Sequence, residues 1–289
     1  MMKIQIKNKH LKKNIMAVTL ADITRLRKMC GAGMMDCKNA LEEAGNDFEK
    51  AMEIIRKKGQ AVAAKRSDRD ASEGCVLAAE NGDFAAIVAV KCETDFVAKN
   101  ADFVAMTKGF LDLAMTQKPT SKEALLALEL SDGRTVANHI TDRIGVTGEK
   151  MELGDYEFVS DVATISYIHP GNKLATIVAF NQPLERQAAR DVAMQVAAMN
   201  PVALTPADVP QKVINSELEI ARDKALQAGK PENMLDRIAQ GALQKFYKES
   251  TLMQQEFVKD ASLTIDQYLK KQDKDLTATD FKRVTLNVD

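Results

Sequence analysis

This chain is short of most features that mark a specialised chemistry. Its 40 Lys and Arg stand against 41 Asp and Glu, a net charge of -1, so no field of one sign calls for a polyanion and no direct nucleic-acid partner is expected. No apolar run approaches the roughly 18 residues that cross a bilayer, so no membrane partner is expected either. Cysteine is scarce: Cys30, Cys37, Cys75 and Cys92 all fall in the first third, without a C-x-x-C spacing. They read as reduced thiols used as small core hydrophobes in a cytoplasmic protein. His10, His139 and His169 lie far from the cysteines and from one another, so no metal and no cofactor is expected.

Enzyme constellations are missing as well. Gly31-Ala32-Gly33 follows a helical pattern rather than a strand and has no Lys-Ser/Thr behind it, unlike a phosphate-binding loop. No local pattern supports a thiol–imidazole pair. The chain is therefore expected to bind rather than catalyse.

What is present is length enough for about two domains, and a clear punctuation. Residues 1–15 form a basic extension with Lys3, Lys7, Lys9, Lys12 and Lys13 and no acid, and Met16 restarts the chain before the first amphipathic stretch. Residues 16–60 predict three short helices. Thr19 caps the first, Gly31-Ala32-Gly33 ends it, and Gly45-Asn46-Asp47 separates the second from the third. Residues 61–73 read as a charged linker.

A duplicated design follows. Cys75 to Glu80 and Phe84 to Val90 predict a hairpin across Asn81-Gly82, with a helix from about Asn100. Val162 to Ile168 and Leu174 to Phe180 predict another, across His169-Pro170-Gly171-Asn172, with Pro183 opening a helix through Met199. Ala86-Ile87-Val88-Ala89-Val90 lines up with Thr176-Ile177-Val178-Ala179-Phe180. The fold class is α+β: a helical bundle, then two similar core subdomains, 74–157 and 158–289. Inside the second, Ile214, Leu218, Ala221, Ala225 and Ala228 step at heptad spacing. Leu235, Ile238, Ala242 and Phe246 continue it after Gly229-Lys230-Pro231, predicting an antiparallel coiled-coil hairpin over 208–248. A last strand carries Val284, Leu286 and Val288 on one face.

Where the second predicted strand ends, Thr94-Asp95-Phe96-Val97 sets an acid beside a large aromatic on a strand-to-helix corner. Phe96 either folds back into the core or stands out as a surface for another molecule. Met34 and Met35 pose the same choice between bundle core and adaptable contact surface.

Two stretches carry a resemblance. Leu26-Arg27 with Gly31-Ala32-Gly33-Met34-Met35-Asp36-Cys37-Lys38 is similar to the N-terminal signature of the elongation factor Ts family. Thr94-Asp95-Phe96-Val97-Ala98-Lys99 resembles that family's second signature. The resemblance runs from about Met16 to the end. It implies a guanine nucleotide exchange factor for elongation factor Tu, without covalent catalysis. It also implies a ubiquitin-associated-like three-helix module, a two-part core and a coiled-coil hairpin. Carried over position by position, Thr94, Asp95, Phe96 and Val97 are expected to disturb the partner's magnesium site. Arg27, Met34 and Met35 are expected to contact its GTPase domain, and His169 to be a core contact. Assembly as a homodimer or as a heterotetramer with the partner is compatible with the resemblance. Some members add a C-terminal helical module after the last strand. Here the chain stops at Asp289, so that module's contacts are expected to be absent. A different class, a helical-bundle adaptor for a peptide or a ubiquitin-like surface, rests on the region around Met34.

Overall fold

The computed structural model describes residues 17–287; the expectations about Met16, the basic extension and Val288 lie outside them. Along the chain, α1 (Leu20–Cys30), α2 (Met34–Glu43) and α3 (Phe48–Lys65) precede the hairpin β1 (Glu73–Asn81) and β2 (Phe84–Cys92). Then come α4 (Asp95–Ala98), α5 (Ala101–Gln117), α6 (Lys122–Ala127), α7 (Val136–Thr147) and β3 (Met151–Ser160). The remainder holds β4 (Ala163–Ile168), β5 (Leu174–Phe180), α8 (Arg186–Met199), α9 (Gln211–Gln227) and α10 (Glu232–Ser250). It ends with β6 (Glu256–Phe257), β7 (Asp260–Thr264), α11 (Ile265–Lys270) and β8 (Ala278–Thr285). The class is α+β.

Two compact units emerge: residues up to Arg69 with Asn138–Lys150, and Asp70–Ala137 with the residues from Met151 onward. In the first, Thr19 and Asp22 form a reciprocal capping box that starts α1, and Asp47 caps α3 by accepting from Glu49 and Lys50 N–H. Ile23, Leu26, Cys37, Ala40, Leu41 and Ala51 close a small core. α3 runs to Lys65, past the point where a linker was expected to begin, because nothing between Gly59 and Lys65 breaks it. A segment from far along the chain joins this unit. A side chain on Gly145 of α7 would meet the Gly59 Cα at 2.6 Å, so these two backbones approach as only glycines allow.

The second unit is built on two three-stranded antiparallel sheets, ordered β1-β2-β3 and β4-β5-β8, with a small two-stranded sheet, β6-β7, following α10 in the chain. The two larger sheets share an apolar layer: Ile87, Ala89 and Val159 from one, Ile177, Ala179 and Val284 from the other. The opposite faces are covered by helices, with Phe103, Phe110 and Leu111 of α5 buried on one side, and Val192 and Val196 of α8 packed with Val178 and Phe180 on the other. β2 and β5 are thus apolar on both faces, which is why they read as continuous hydrophobic runs. The duplication extends to a defect. The ladder from β2 to β3 slips between Ala89 and Val90, and that from β5 to β8 between Ala179 and Phe180, at corresponding positions.

Several boundaries differ from expectation. The first hairpin turns on Gly82 and Asp83, since Asn81 already pairs with Phe84. β3 pairs with β2 through Ser160, so a division at 157/158 would cut a strand. α8 starts at Arg186, because Glu185 is its cap and Pro183 lies in the approach. In the helical hairpin, α10 turns Ala239 and Leu243 inward while Ala242 faces solvent; an Arg222–Asp236 ion pair of 2.7 Å links it to α9.

Candidate functional site

β2 stops at Cys92, and the chain then makes a single helical turn before α5 begins. The Thr94 hydroxyl caps that turn by accepting from Val97 N–H at 3.4 Å, and Asn100 caps α5 by accepting from Asp102 N–H at 3.0 Å. Two caps six residues apart in sequence thus force α4 to be short. The Cys92 thiol donates to the Thr94 carbonyl at 3.3 Å, tying the turn to the strand end. Ala98, the last residue of α4, is buried.

On this anchored turn Phe96 is 84% exposed, the most exposed large hydrophobic side chain among the described residues. It does not fold back into the core. Asp95 beside it is half-buried and pairs with Lys99 Nζ at 2.7 Å, one helical turn on. The hydrogen bond from Lys99 holds the Asp95 carboxyl below the usual carboxylate range, and Asp95 in return raises Lys99. The corner therefore offers a carboxylate already ionised at neutral pH next to a bare aromatic ring. Glu93 lies between the end of β2 and the helical turn that begins at Asp95, so strand periodicity does not relate the two acids. Lys99 escaped sequence reasoning as a member of this site. Its signal was available, an acid followed four residues later by a base on a helix.

His169 begins the turn between β4 and β5 and is exposed. Its N–H donates to the Leu174 carbonyl at 2.9 Å, and its Nδ1 lies 3.0 Å from the Tyr167 hydroxyl. Tyr167 also carries the Arg190 guanidinium 5.7 Å from its ring centre. Tyr167 and Arg190 were not foreseen. Tyr167 stands on β4 two residues before His169, which follows the strand's last residue, a spacing at which extended side chains share a face.

In the helical unit, Met34 and Met35 open α2 with 43% and 64% of their surfaces exposed, so neither is bundle core. Arg27, in the last turn of α1, is exposed as well. The structure gathers Arg27, Met34 and Met35 about one interhelical turn, and Thr94 to Val97 about one corner. Among the described residues no group of three or more His, Cys, Asp or Glu could hold a metal ion. No described helix is long and apolar enough to cross a membrane.

Comparison with known proteins adds the family. The family model described as "Elongation factor TS" matches residues 93–287. A protein of Porphyromonas gingivalis named elongation factor Ts is 72% identical over 274 residues, covering 95% of this chain and all of the relative. One from Azobacteroides pseudotrichonymphae is 55% identical over 275 residues, and one from Phocaeicola vulgatus 46% over 331, each again covering 95% of this chain and all of the relative. With its fold class and both signature stretches in place, the chain belongs to the elongation factor Ts family of translation elongation factors.

Proposed function

We propose that this protein binds elongation factor Tu in its GDP form and speeds GDP release, so that GTP can enter. The observation that carries the reading is Phe96, an aromatic ring held outside its own core on a turn capped at both ends. A GTPase retains GDP through phosphate contacts and magnesium acting together. A partner with higher affinity for the emptied state must, by linkage, weaken the nucleotide by the same factor. In this reading Phe96 enters beside the partner's magnesium site and displaces its surroundings. Asp95 accompanies it as a carboxylate facing the cation, Thr94 and Val97 shape the turn, and no covalent step is required. Arg27, Met34 and Met35 contact the GTPase domain, the methionines adapting to its apolar surface. His169, steadied by Tyr167, is a further contact.

Stopped-flow release of labelled GDP from elongation factor Tu tests this. Loss of a buried aromatic anchor costs about 2 kcal/mol, so Phe96→Ala is expected to slow release roughly thirtyfold with the fold unchanged. Wild-type rates in that variant, with a defect on changing Met34 and Met35 instead, favour the helical-bundle adaptor.

A further inference from the structure

In the helical unit the sulfur atoms of Cys30 and Cys37 lie 3.8 Å apart. Cys30 is the last residue of α1 and partly exposed, whereas Cys37 lies in α2 and is fully buried. The connection sets them together. Gly31 takes a left-handed φ of 71°, reversing the chain at the end of α1, and the Cys37 N–H reaches back to the Gly33 carbonyl at 3.0 Å. The Cys37 sulfur also lies 3.7 Å from the Ala32 carbonyl, beneath the same turn. None of the four cysteines is in a disulfide, and Cys75 and Cys92 are buried in the other unit. A disulfide requires the sulfurs to close to about 2.05 Å, a further approach of roughly 1.8 Å that side-chain rotation at a partly exposed residue can supply.

We propose that Cys30 and Cys37 are a modification site, converted to an intramolecular disulfide by a low-molecular-weight disulfide. Cys30, the accessible thiol, gives its proton to solvent and attacks one sulfur of the small disulfide. A mixed disulfide forms on Cys30 and one small thiolate leaves, to be protonated by water. Cys37 then loses its proton and attacks the Cys30 sulfur, forming the Cys30–Cys37 bond and expelling the second small thiolate. Two protein thiols are oxidised and one small disulfide is reduced to two thiols. The second step is slow at neutral pH, because burial and the neighbouring Cys30 push the Cys37 thiol up to about 12.

The bond would tie the end of α1 to α2 across the turn that presents Met34 and Met35, and would stabilise the unit by constraining its unfolded state. Its effect on partner contact rests on the function proposed above; its formation does not.

The test uses the full chain equilibrated with oxidised glutathione above neutral pH. Free thiols are then alkylated under denaturing conditions and the chain is digested with trypsin. Both cysteines fall in the single peptide Met29–Lys38. The expected result is that this peptide resists alkylation, is lighter by two hydrogens than the dithiol, and regains both alkylation sites after reduction. Closure should quicken as pH rises, and the oxidised chain should unfold at a higher temperature than the reduced one. Cys30→Ser should abolish the bridge and leave Cys37 alkylatable. Glutathione persisting on Cys30, or both thiols remaining alkylatable at equilibrium, overturns the proposal. Either result is read without the GTPase, so it stands apart from the outcome with Phe96→Ala.

Discussion

Glu73 and Lys173 join the two halves of the core at one end, the Lys173 ammonium lying 2.8 Å from Oε2 of Glu73 and 3.0 Å from Oε1. Glu73 stands opposite Cys92 in the β1–β2 ladder, two residues before Thr94. Lys173 closes the turn that His169 opens, and the Val76 N–H bonds the Asn172 carbonyl at 2.7 Å beside it. The Asp95-Phe96 corner and the His169 turn, some seventy positions apart in sequence, are thereby brought to the same end of the sandwich. The pair is partly exposed, so Lys173→Ala should cost under about 1 kcal/mol in denaturant unfolding. Under the proposed function GDP release should nonetheless slow several-fold, because the two proposed contact loci lose their fixed spacing. A full-speed variant would show that the tie is not a positioning device.

Lys99 raises a related question about Asp95. The carboxylate needs no help from Lys99 to ionise near neutral pH, so the ion pair matters for orientation. Lys99→Met should slow GDP release, and Lys99→Arg should restore most of it. If orientation is the whole effect, the double variant with Asp95→Asn should be no slower than Asp95→Asn alone. Additive losses in that cycle would assign Lys99 a contact of its own.

The contact between α3 and α7 supplies a graded pair. A Cβ on Gly145 would sit 2.6 Å from a backbone carbon, while one on Gly59 would meet its nearest atom, the Thr141 carbonyl oxygen, at 3.3 Å. Alanine gains about 1 kcal/mol of helix propensity at either site. Against this, forcing two backbones apart costs about 1–3 kcal/mol. Gly145→Ala should therefore lower the urea midpoint of the helical unit, and Gly59→Ala should leave it nearly unchanged. Equal effects would show that the helices can separate freely.

What could be read in the sequence follows from how each element is buried. β2 and β5 stood out because they are covered on both faces, and their matching runs exposed the duplication. β3 was hidden by its own irregularity. Met151, Leu153 and Tyr156 are buried, but the spacing changes from two to three where the ladder slips, so the alternation that announces a strand is broken. In α7, Ile140 and Ile144 carry a helical spacing, yet nothing local says that this helix packs with residues eighty positions earlier. At the corner, the residue types announced a surface, but whether Phe96 turned inward depended on Thr94 and Asn100 capping two successive helices. Spacing alone does not decide that.

Asp191 gives the clearest pH dependence. It is 6% exposed in α8, where burial alone would raise its carboxyl. Hydrogen bonds outweigh this: Lys259 at 2.8 Å, Gln187 at 2.7 Å and the Tyr268 hydroxyl at 3.1 Å hold it below its ordinary 3.8. Burial and Asp191 push Tyr268 up to about 12, so it stays a donor throughout. With the folded value below the unfolded one, the unfolded chain binds the proton more readily. The stabilisation is therefore complete above the unfolded value and lost as pH falls through the folded one. Asp191→Asn should cost about 2 kcal/mol near neutral pH, typical of hydrogen bonds to a charged group. Other carboxylates titrate alike in both proteins and cancel in the difference. Urea midpoints compared between about pH 7 and pH 3 should converge only below the ordinary aspartate value. A gap that stays constant across that range would mean that the Asp191 side chain contributes through shape rather than charge.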